Sequence, residues 1–524
     1  MRLRAVALAL SLALGLAACQ PERSTAPQHS ATLPADTLVR LSEDDAKSLD
    51  PQKISDVASS RVAMDLFEGL TRFNGKGEVE PAIASAWTLS PDGLTWSFKL
   101  RPDARFSDGS PITAPLFAQI FQRLRAPATA APTRELFEGI ANVVATQPDL
   151  VSIHLRRPDP ALPDLMAQPA MAALPMHRIT TLADHWTSER PLVTSGAYRL
   201  RDWQLNDHMQ LEPNPFWYDG KPRTPYVRWL PVADKLTALR RFQTGQADTT
   251  ADFPPSRFED LVKNLGTSVH AAPMIATYYL TLNTRQPPFD DVRVRRALAM
   301  TVDRDWIAHQ LIRAGVKPAW GLLPSGLGLP PLKPDWKNWS MARRQAAASD
   351  LLAQAGYGPD HPLRATLRFN SDRDHRRVAT ALATMWAPLG VEISLFNSEA
   401  SLHFAAMRRG DFQIARAGWV ADMPTPENML MVHHSTATAL NYAGYNSPVF
   451  DTALDRALNT ADPAMRAKMM RRAEQQLIFD APIIPIYHNA ARALVAPRVN
   501  GWQDNPINVH PSRTLSLTVG TTSR

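Results

Sequence analysis

Few residue patterns in the chain match the sequence signatures of catalytic sites. A nucleophile elbow needs Gly-x-Ser-x-Gly, and both Ser195-Gly196 and Ser325-Gly326 lack the preceding glycine. The chain contains neither a His-Glu-x-x-His zinc helix nor a Gly-x-Gly-x-x-Gly dinucleotide loop. The segment 69–76 resembles a phosphate-binding loop, but five residues instead of four separate its glycines. These patterns predict that the protein is not an enzyme and carries no cofactor.

Two further groups of residues, a pair of histidines and the carboxylates, could form a metal site or a catalytic pair. His433 and His434 are adjacent, and neighbouring side chains of a strand point to opposite faces, so the pair predicts a polar loop and no metal site. Carboxylate pairs stay open, because any two of the 50 acidic residues could meet in the fold. An exported hydrolase or peptidase that uses two carboxylates is therefore the alternative to a binding protein.

The single cysteine, Cys19, excludes a disulfide within the chain and lies in an informative place. Arg2 and Arg4 precede an apolar run over 5–16, which is shorter than the about 20 residues that span a bilayer. The run ends in Leu-Ala-Ala-Cys, which resembles the lipobox of bacterial lipoproteins, whereas the alternative is an ordinary signal peptide with a chance cysteine. We expect residues 1–18 to be a signal peptide, Cys19 to carry the lipid, and 19–32 to be a flexible tether.

Composition limits the remaining classes of protein. The 524 residues carry 57 Lys and Arg against 50 Asp and Glu, a formal net charge of +7. The basic residues are dispersed and the protein is expected to be exported, so we expect no nucleic-acid partner. The length is typical of about three domains.

Regular structure is predicted from hydrophobic spacing. Alternation over 94–100 predicts a strand with Leu94, Trp96, Phe98 and Leu100 on one face, and the proline-bounded run 482–487 predicts a short strand. Apolar residues at helical spacing over 117–124 predict an amphipathic helix. Asp462-Pro463 predicts the start of a second helix, with Met469, Ala473 and Leu477 buried. Strands and helices thus alternate, as in an α/β or α+β protein.

Several short blocks, in one order along the chain, carry a family resemblance. They span roughly residues 37 to 500 and are Ser48–Pro51, Asp65–Leu70, Ser107–Ala114, Ser195–Leu200, Asn214–Trp217, Pro288–Arg295, Ala415–Asp422 and Asn446–Asp451. Together they resemble the oligopeptide-binding proteins of bacterial ABC importers, the peptide/nickel-type family 5 of extracellular solute-binding proteins. The resemblance implies an extracytoplasmic lipoprotein that captures peptides and delivers them to a membrane permease, with ATPase subunits supplying the energy.

The resemblance also implies an α/β fold, the two-lobed periplasmic-binding-protein fold of the large peptide-binding type, with an extra α+β domain inserted in the first lobe. By analogy, lobe I would comprise 33–70, 192–282 and 488–520, the extra domain 71–191, and lobe II 283–487. We expect a monomer in the periplasm or cell envelope, which meets the membrane only through the lipid on Cys19.

The family's ligand site would fall mainly on one segment of this chain. Asp422 matches the carboxylate that binds a peptide's α-ammonium group, and the alternative is a cap for a helix opening at 424–427. Arg416 would meet the ligand's carboxylate or form an ion pair across the cleft, and the alternative is an exposed surface arginine. Trp419 would be a pocket wall or a core residue. Gly418 and Val420 belong to the same segment. His375 matches a position that can meet the peptide's C-terminus, although solvent exposure is the alternative.

Three positions depart from the family pattern. Ala400 replaces a tryptophan of a pocket wall, Ser59 an acidic residue near the ligand's amine, and Thr133 a tyrosine that covers the ligand. We therefore expect a roomier cleft, and a non-peptide ligand such as a metal chelate, haem or an oligosaccharide stays an alternative within the same fold.

Overall fold

The computed structural model describes residues 34–421 and 423–518, and the elements below belong to the unit that begins at Asp36. Its strands are β1 Thr37–Ser42, β2 Thr71–Phe73, β3 Val79–Pro81, β4 Ala84–Leu89, β5 Thr95–Leu100, β6 Ile140–Gln147, β7 Leu150–Leu155, β8 Tyr198–Gln204, β9 His208–Pro213, β10 Tyr226–Pro231, β11 Val269–Leu282, β12 Lys317–Pro318, β13 Leu363–Asn370, β14 Val391–Ser398, β15 Ile414–Val420, β16 Ile483–Leu494, β17 Val499–Asn500 and β18 Ser516–Leu517.

Its α-helices are mostly short and connect the strands. They are α1 Val57–Leu66, α2 Ala114–Arg125, α3 Leu162–Met166, α4 Met176–Leu182, α5 Lys235–Gln243, α6 Phe258–Leu265, α7 Val292–Met300, α8 Arg304–Trp306, α9 Met341–Gln354, α10 Arg373–Trp386, α11 Ala400–Arg409, α12 Pro426–Leu430, α13 Pro448–Leu458 and α14 Pro463–Asp480. A π-helical turn, Ile307–Ile312, continues α8.

Three larger sheets organise the described residues. The first has the order β1-β10-β9-β8, the second β4-β5-β7-β6, and the third β12-β16-β11-β15-β13-β14. Two small antiparallel pairs, β2-β3 and β17-β18, complete the strand pairing. The first sheet joins chain segments that are far apart in sequence, since β1 pairs in parallel with β10.

The second sheet follows directly from its hydrophobic pattern. Trp96, Phe98 and Leu100 of β5 are buried on one face, as the alternation predicts. Helix α2 covers this core with its apolar stripe, and Pro115 stands within its first turn. The stripe comprises Phe117, Ile120, Phe121 and Leu124, all buried in the same cluster as β5.

The third sheet contains the two longest strands. β11 pairs with β16 antiparallel from Val269–Leu494 to Thr281–Ile483, with irregular register near Pro273 and Tyr278. The predicted short strand over 482–487 is wrong in length, because Pro485 lies inside β16 and does not end it. A proline lacks the N–H that an inner strand donates, and a register shift falls beside Pro485, next to Tyr279.

Helix α14 begins as predicted but buries a different methionine. The Asp462 carboxylate accepts the Ala464 N–H at 2.9 Å and caps the helix. Met470, Ala473, Glu474 and Leu477 are buried, whereas Met469 is only partly buried. The predicted burial of Met469 is wrong by one position, since the buried stripe runs through positions 470, 473, 474 and 477.

Several sequence predictions fall outside the described residues. They concern the signal peptide, the tether, the lipidated Cys19 and the carboxylate of Asp422. Within residues 34–421 and 423–518, none of the helices combines the length and the apolar composition that crossing a bilayer requires.

Candidate functional site

A cavity of about 280 Å³ lies between two parts of the chain that are distant in sequence. One wall comprises residues of the segment 51–56, the residues Val57, Ser60, Arg61 and Met64 of α1, and residues of the segments 133–137, 168–170 and 507–511. The other wall comprises Met274 of β11 and the end of β15, where Val420 and Ala421 lie. The cavity therefore opens at the segment where the sequence places its candidate ligand residues.

Strand β15 borders this cavity and has one incompletely paired edge. Its ladder with β11 runs from Ala276–Val420 to Leu282–Ile414. Its ladder with β13 covers only Leu367–Ile414 and Arg368–Ala415. Within the described residues, positions 416–420 thus pair in a ladder on one side only. The Arg416 carbonyl lies 2.9 Å from His403 Nε2, and backbone groups beyond it are able to bond an added strand.

Gly418 lies in the middle of this half-paired stretch. A Cβ atom there would lie 3.1 Å from the carbonyl oxygen of Thr277 on the neighbouring strand. A side chain at 418 would therefore crowd the β11 backbone. Glycine at position 418 allows the two strands to lie close together, and it places no side chain on the surface beside Arg416.

Arg416 belongs to a cluster of polar and aromatic side chains. Its Nη1 donates to Asn370 Oδ1 at 3.3 Å, and its guanidinium carbon lies 5.1 Å from the centre of the Tyr278 ring. The Tyr278 ring in turn lies 5.5 Å from His375 and stacks on Tyr487 at 4.7 Å between centroids. The structure thus brings Arg416 and His375 together through Tyr278.

His375 is held in its neutral form. Burial, and next the positive charge of Arg416, lower the pKa of His375 to about 3. Its side chain is 15% exposed, so the alternative of a solvent-exposed residue is wrong. The ring stands in the first turn of α10, where the Asp372 carboxylate caps the helix by accepting the His375 backbone N–H at 3.0 Å.

Polar atoms of this cluster lack hydrogen-bond partners among the described residues. They are Tyr278 Oη, His375 Nδ1 and Arg416 Nε, and three more lie on adjoining elements, namely Arg368 Nε, Ser398 Oγ and His403 Nδ1. Leaving a buried polar group unbonded costs about 1–3 kcal/mol. A ligand that accepts from the donors among these atoms, such as Arg416 Nε and Tyr278 Oη, would remove part of that cost.

Trp419 and Val420 point to different surroundings because successive strand residues alternate. Trp419 packs partly buried against a hydrophobic cluster and donates from Nε1 to Asn428 Oδ1 at 3.1 Å. Val420 is 47% exposed and lines the cavity. The geometry thus favours a core residue over a pocket wall for Trp419, and it places Val420 in the cavity wall.

Asp422 itself lies outside the described residues, but the helix that it was expected to cap is described. Helix α12 begins at Pro426, and its N-cap is Thr425, whose hydroxyl accepts the Asn428 N–H at 3.4 Å. The helix therefore has a cap without Asp422.

The three departures from the family pattern have different surroundings. Thr133 lines the cavity. Ser59 does not, because its buried hydroxyl accepts the Lys47 N–H at 2.8 Å and donates to Asp56 Oδ2 at 2.7 Å. Ala400 is exposed at the start of α11 and is also absent from the cavity wall.

The adjacent histidines 433 and 434 do not form one polar loop pair. His433 is 3% exposed and packs edge-on against Tyr279, with ring centres 5.6 Å apart. His434 lies 3.5 Å from carboxylate oxygens of Asp451 and Asp455. No group of three or more potential metal ligands occurs in the part of the chain that the structure describes.

Sequence reasoning missed Tyr278, His403 and Met274. His403 is buried in α11, and its Nε2 lies 2.9 Å from the backbone oxygen of Arg416. Burial lowers the pKa of His403 to about 4. The only signal for Tyr278 and Met274 is their place in a long run of strand-forming residues, which does not distinguish a site from a core.

Comparisons with known proteins agree with this geometry. The family model for bacterial extracellular solute-binding proteins, family 5 (middle region), matches residues 78–440. The chain is 36% identical over 487 residues to the periplasmic oligopeptide-binding protein OppA of Escherichia coli (strain K12), covering 89% of each chain. It is 31% identical over 507 residues to the probable deoxycholate-binding periplasmic protein YgiS of the same organism, covering 91% of this chain and 94% of that one.

A solved structure shows the same architecture. The E. coli murein tripeptide binding protein MppA superposes with a TM-score of 0.84 at 33% identity, covering 92% of this chain and 98% of that one. The fold is therefore the mixed α/β, two-lobed fold of the large periplasmic binding proteins. With a family model that matches more than half of the chain and relatives above 30% identity over most of it, the chain belongs to the bacterial extracellular solute-binding proteins of family 5.

Proposed function

We propose that the protein is the substrate receptor of an ABC importer and that it captures peptides in the cavity beside β15. Membership of a solute-binding family supports a receptor, and the oligopeptide- and murein-peptide-binding relatives support a peptide as the ligand. Delivery to a permease, with ATP hydrolysed by separate subunits, is the role that the family implies.

The half-paired edge of β15 is the observation that carries this proposal. An extended peptide offers backbone donors and acceptors at every residue, and positions 416–420 pair in a ladder on one side only among the described residues. A ligand strand bonded there gains affinity whatever its side chains are. The protein can therefore take peptides of many sequences.

The two ends of such a peptide would be recognised by charge. Arg416, Tyr278 and His375 present unpaired polar atoms at one end of this edge, and they suit a terminal carboxylate. Asp422 follows the other end directly, and its carboxylate suits the α-ammonium group. The cap of α12 by Thr425 supports this role, because this helix has an N-cap residue other than Asp422.

The lobes that we propose follow the expected boundaries. Lobe I would combine 33–70, 192–282 and 488–520, and the shared sheet of β1, β8, β9 and β10 supports this combination. The extra domain would be 71–191, where the second sheet lies, and lobe II would be 283–487. The paired strands β11 and β16 would cross between the lobes, which close on the ligand.

We also propose that the protein is exported and anchored to the membrane by a lipid. The sequence around Cys19 supports a lipid at the start of the mature chain, with residues 19–32 as a tether. The receptor would then work as a monomer in the periplasm, held at the membrane by its lipid alone. Palmitate labelling of a Cys19→Ser variant tests the anchor, and labelling equal to the wild type would contradict it.

Mass spectrometry of the ligand that co-purifies with the protein tests the function. We expect intact short peptides with free termini after the protein is denatured. Peptides cut during incubation with the purified protein would instead indicate the hydrolase alternative. Recovery of a bile salt, a metal chelate, haem or an oligosaccharide, with no peptide, would indicate that the protein binds a non-peptide ligand with the same fold.

A further inference from the structure

A groove of about 820 Å³ lies between α10 on one side and α8, its π-helical turn and the start of α9 on the other. Trp306, Leu311 and Met341 line the second side, whereas Ala381 and Met385 belong to α10. None of the groove's lining residues, all of which are described, also lines the cavity beside β15. The groove is therefore separate from the proposed peptide site.

Most of the groove surface is apolar. Leu311 and Met385 pack partly buried against a hydrophobic core, and Trp306 is 43% exposed. Contiguous apolar surface that is open to water marks binding sites, because covering it is favourable. An exposed indole beside flexible methionine side chains offers such a surface to ligands of different shape.

Two hydrogen bonds join α10 to the opposite side of the groove. The Asp303 N–H donates to Met385 Sδ at 3.4 Å, and Arg377 Nη2 donates to the Leu311 carbonyl oxygen at 2.5 Å. The protein's own contacts thus hold the two sides in place. A ligand that enters does not have to order them, and this lowers the cost of binding.

The backbone at Leu311 is unusual. Ile307–Ile312 form the π-helical turn, after which the Arg313 N–H bonds the carbonyl oxygen of Ala308, five residues back, at 2.8 Å. Such turns are rare and occur frequently at functional sites. This backbone is a second feature, independent of the apolar surface, that favours a function for the groove.

The acidic side chain of the lining already has partners. The Asp303 carboxylate accepts the Trp306 N–H at 2.9 Å. Burial lowers the pKa of Arg344, whereas the Asp303 charge raises it, so these two charges lie close enough to interact. Asp303 is therefore not free to bind a cation in the groove.

One cation of the lining remains available. Arg377 pairs with Asp374 at 3.0 Å between Nη1 and Oδ1. Arg376 lines the groove and is exposed, and no carboxylate among the described residues forms an ion pair with it. The groove thus combines an apolar surface with one unpaired guanidinium.

We infer that this groove is a second binding site and that it takes an amphipathic anion, a small molecule with a bulky apolar body and one negatively charged head group. The apolar body would cover the Trp306 indole, and the head group would meet Arg376. A dry cavity of roughly 150 Å³ holds benzene, and this groove is several times larger, so a body of two or three rings fits. The site does not depend on peptide binding.

Fluorescence of two dyes tests the inference on wild-type protein saturated with a tripeptide. Anilinonaphthalene sulfonate (ANS) carries an anionic group, whereas phenylnaphthylamine has the same rings without it. We expect both dyes to bind with increased emission, and ANS to bind about two- to fivefold more tightly, as for an exposed ion pair. Decanoate should displace ANS, and decyltrimethylammonium should displace it less well.

Two pairs of variants locate the dyes. Arg376→Met should lower the affinity for ANS to that for phenylnaphthylamine, whereas Arg472→Met, at an exposed arginine of α14 outside the groove, should leave both affinities unchanged. Ala381→Trp should fill the groove and weaken both dyes, whereas Ala342→Trp, at an exposed position of α9, should not. All four variants should bind the tripeptide like the wild type.

Three results would overturn the inference. They are displacement of ANS by the tripeptide, ANS affinity that Ala381→Trp leaves unchanged, and a dimer in light scattering that Ala381→Trp dissociates, since a second copy would then occupy the groove. If the tripeptide itself does not bind, the proposed function fails, and the variants alone decide whether the groove binds ANS.

Discussion

Arg416 combines a fixed position with unused hydrogen-bonding capacity. Asn370 and the Tyr278 ring hold its guanidinium, while its Nε has no partner among the described residues. Arg416 is therefore a candidate for binding an anionic end group.

Replacing this guanidinium should weaken the binding of free carboxylates selectively. We expect Arg416→Met to lower the affinity for a tripeptide by roughly ten- to a hundredfold, as for the loss of a charge-assisted hydrogen bond. The same peptide with an amidated C-terminus should lose little. Calorimetry measures both.

The matched control is Arg364→Met, which removes an exposed arginine of β13 that pairs with Glu392. It should leave both affinities unchanged. Equal losses for the free and the amidated peptide in Arg416→Met would refute the carboxylate assignment.

The burial of His433 predicts that the free energy of unfolding decreases in acid. Burial lowers the pKa of His433 to about 3, against about 6.5 in an unfolded chain. Below pH 6.5 the unfolded state binds a proton that the folded state excludes, so stability falls as pH decreases from 6.5 towards 3. Between pH 6.5 and 5 the contribution of His433 is about 2 kcal/mol.

Urea unfolding at pH 7 and pH 5 measures this effect. His433→Gln should reduce the loss of unfolding free energy on acidification by about 2 kcal/mol relative to the wild type. His309→Gln, at an exposed histidine, provides the matched exchange and should keep the wild-type loss. If His433→Gln also keeps it, the histidine is not buried in neutral form.

At the scale of elements, the contact between the end of α1 and the segment before β8 depends on one glycine. A Cβ atom at Gly196 would lie 2.8–2.9 Å from backbone atoms of residues 65–67. Backbone cannot swing aside as a long side chain can, so the neighbouring segments would have to separate. Close approach is the physical reason for glycine in this block of the sequence.

Gly196→Ala should therefore destabilise the protein by about 1–3 kcal/mol, the usual cost of overpacking. Gly139→Ala is the control, because a Cβ atom there meets nothing within 4 Å. Chemical denaturation of both variants measures the change in the free energy of unfolding. A change below about 0.5 kcal/mol for Gly196→Ala would contradict the described contact.

Elements with a strong local pattern could be predicted from the sequence. The strand predicted over 94–100 and the helix predicted over 117–124 follow their hydrophobic periods, and the structure has them at Thr95–Leu100 and Ala114–Arg125. The length of β16 could not be predicted, since its pairing partners lie on β11 and β12 and Pro485 suggests a strand end. Met470 is buried where the sequence predicts Met469, because the apolar pattern of α14 is weak.

The candidate site could be predicted only in part, for a related reason. The segment 415–422 has a recognisable block, so Arg416, Val420 and Asp422 could be named from the sequence. Tyr278 and Met274 come close to it only through the pairing of β11 with β15. Such non-local contacts leave no spacing signal, and neither residue type is unusual in a strand.

On the scale of the whole molecule, a receptor whose lobes close on its ligand should gain stability from it. Binding adds about 2.7 kcal/mol to the unfolding free energy when the free ligand is at 100 times its Kd. A closed form should also be more compact. We expect a saturating tripeptide to raise the Tm and to lower the radius of gyration in small-angle scattering, and an unchanged radius would contradict closure.

One calorimetric comparison tests the central claim most directly, that the protein binds peptides through their free amine at Asp422. The wild type and Asp422→Asn are titrated with Phe-Ala-Ala and with its N-acetylated form. We expect the wild type to bind the free peptide much more tightly than the acetylated one, and Asp422→Asn to abolish most of this difference. Equal binding of both peptides by the wild type, or an undiminished difference in Asp422→Asn, would contradict it.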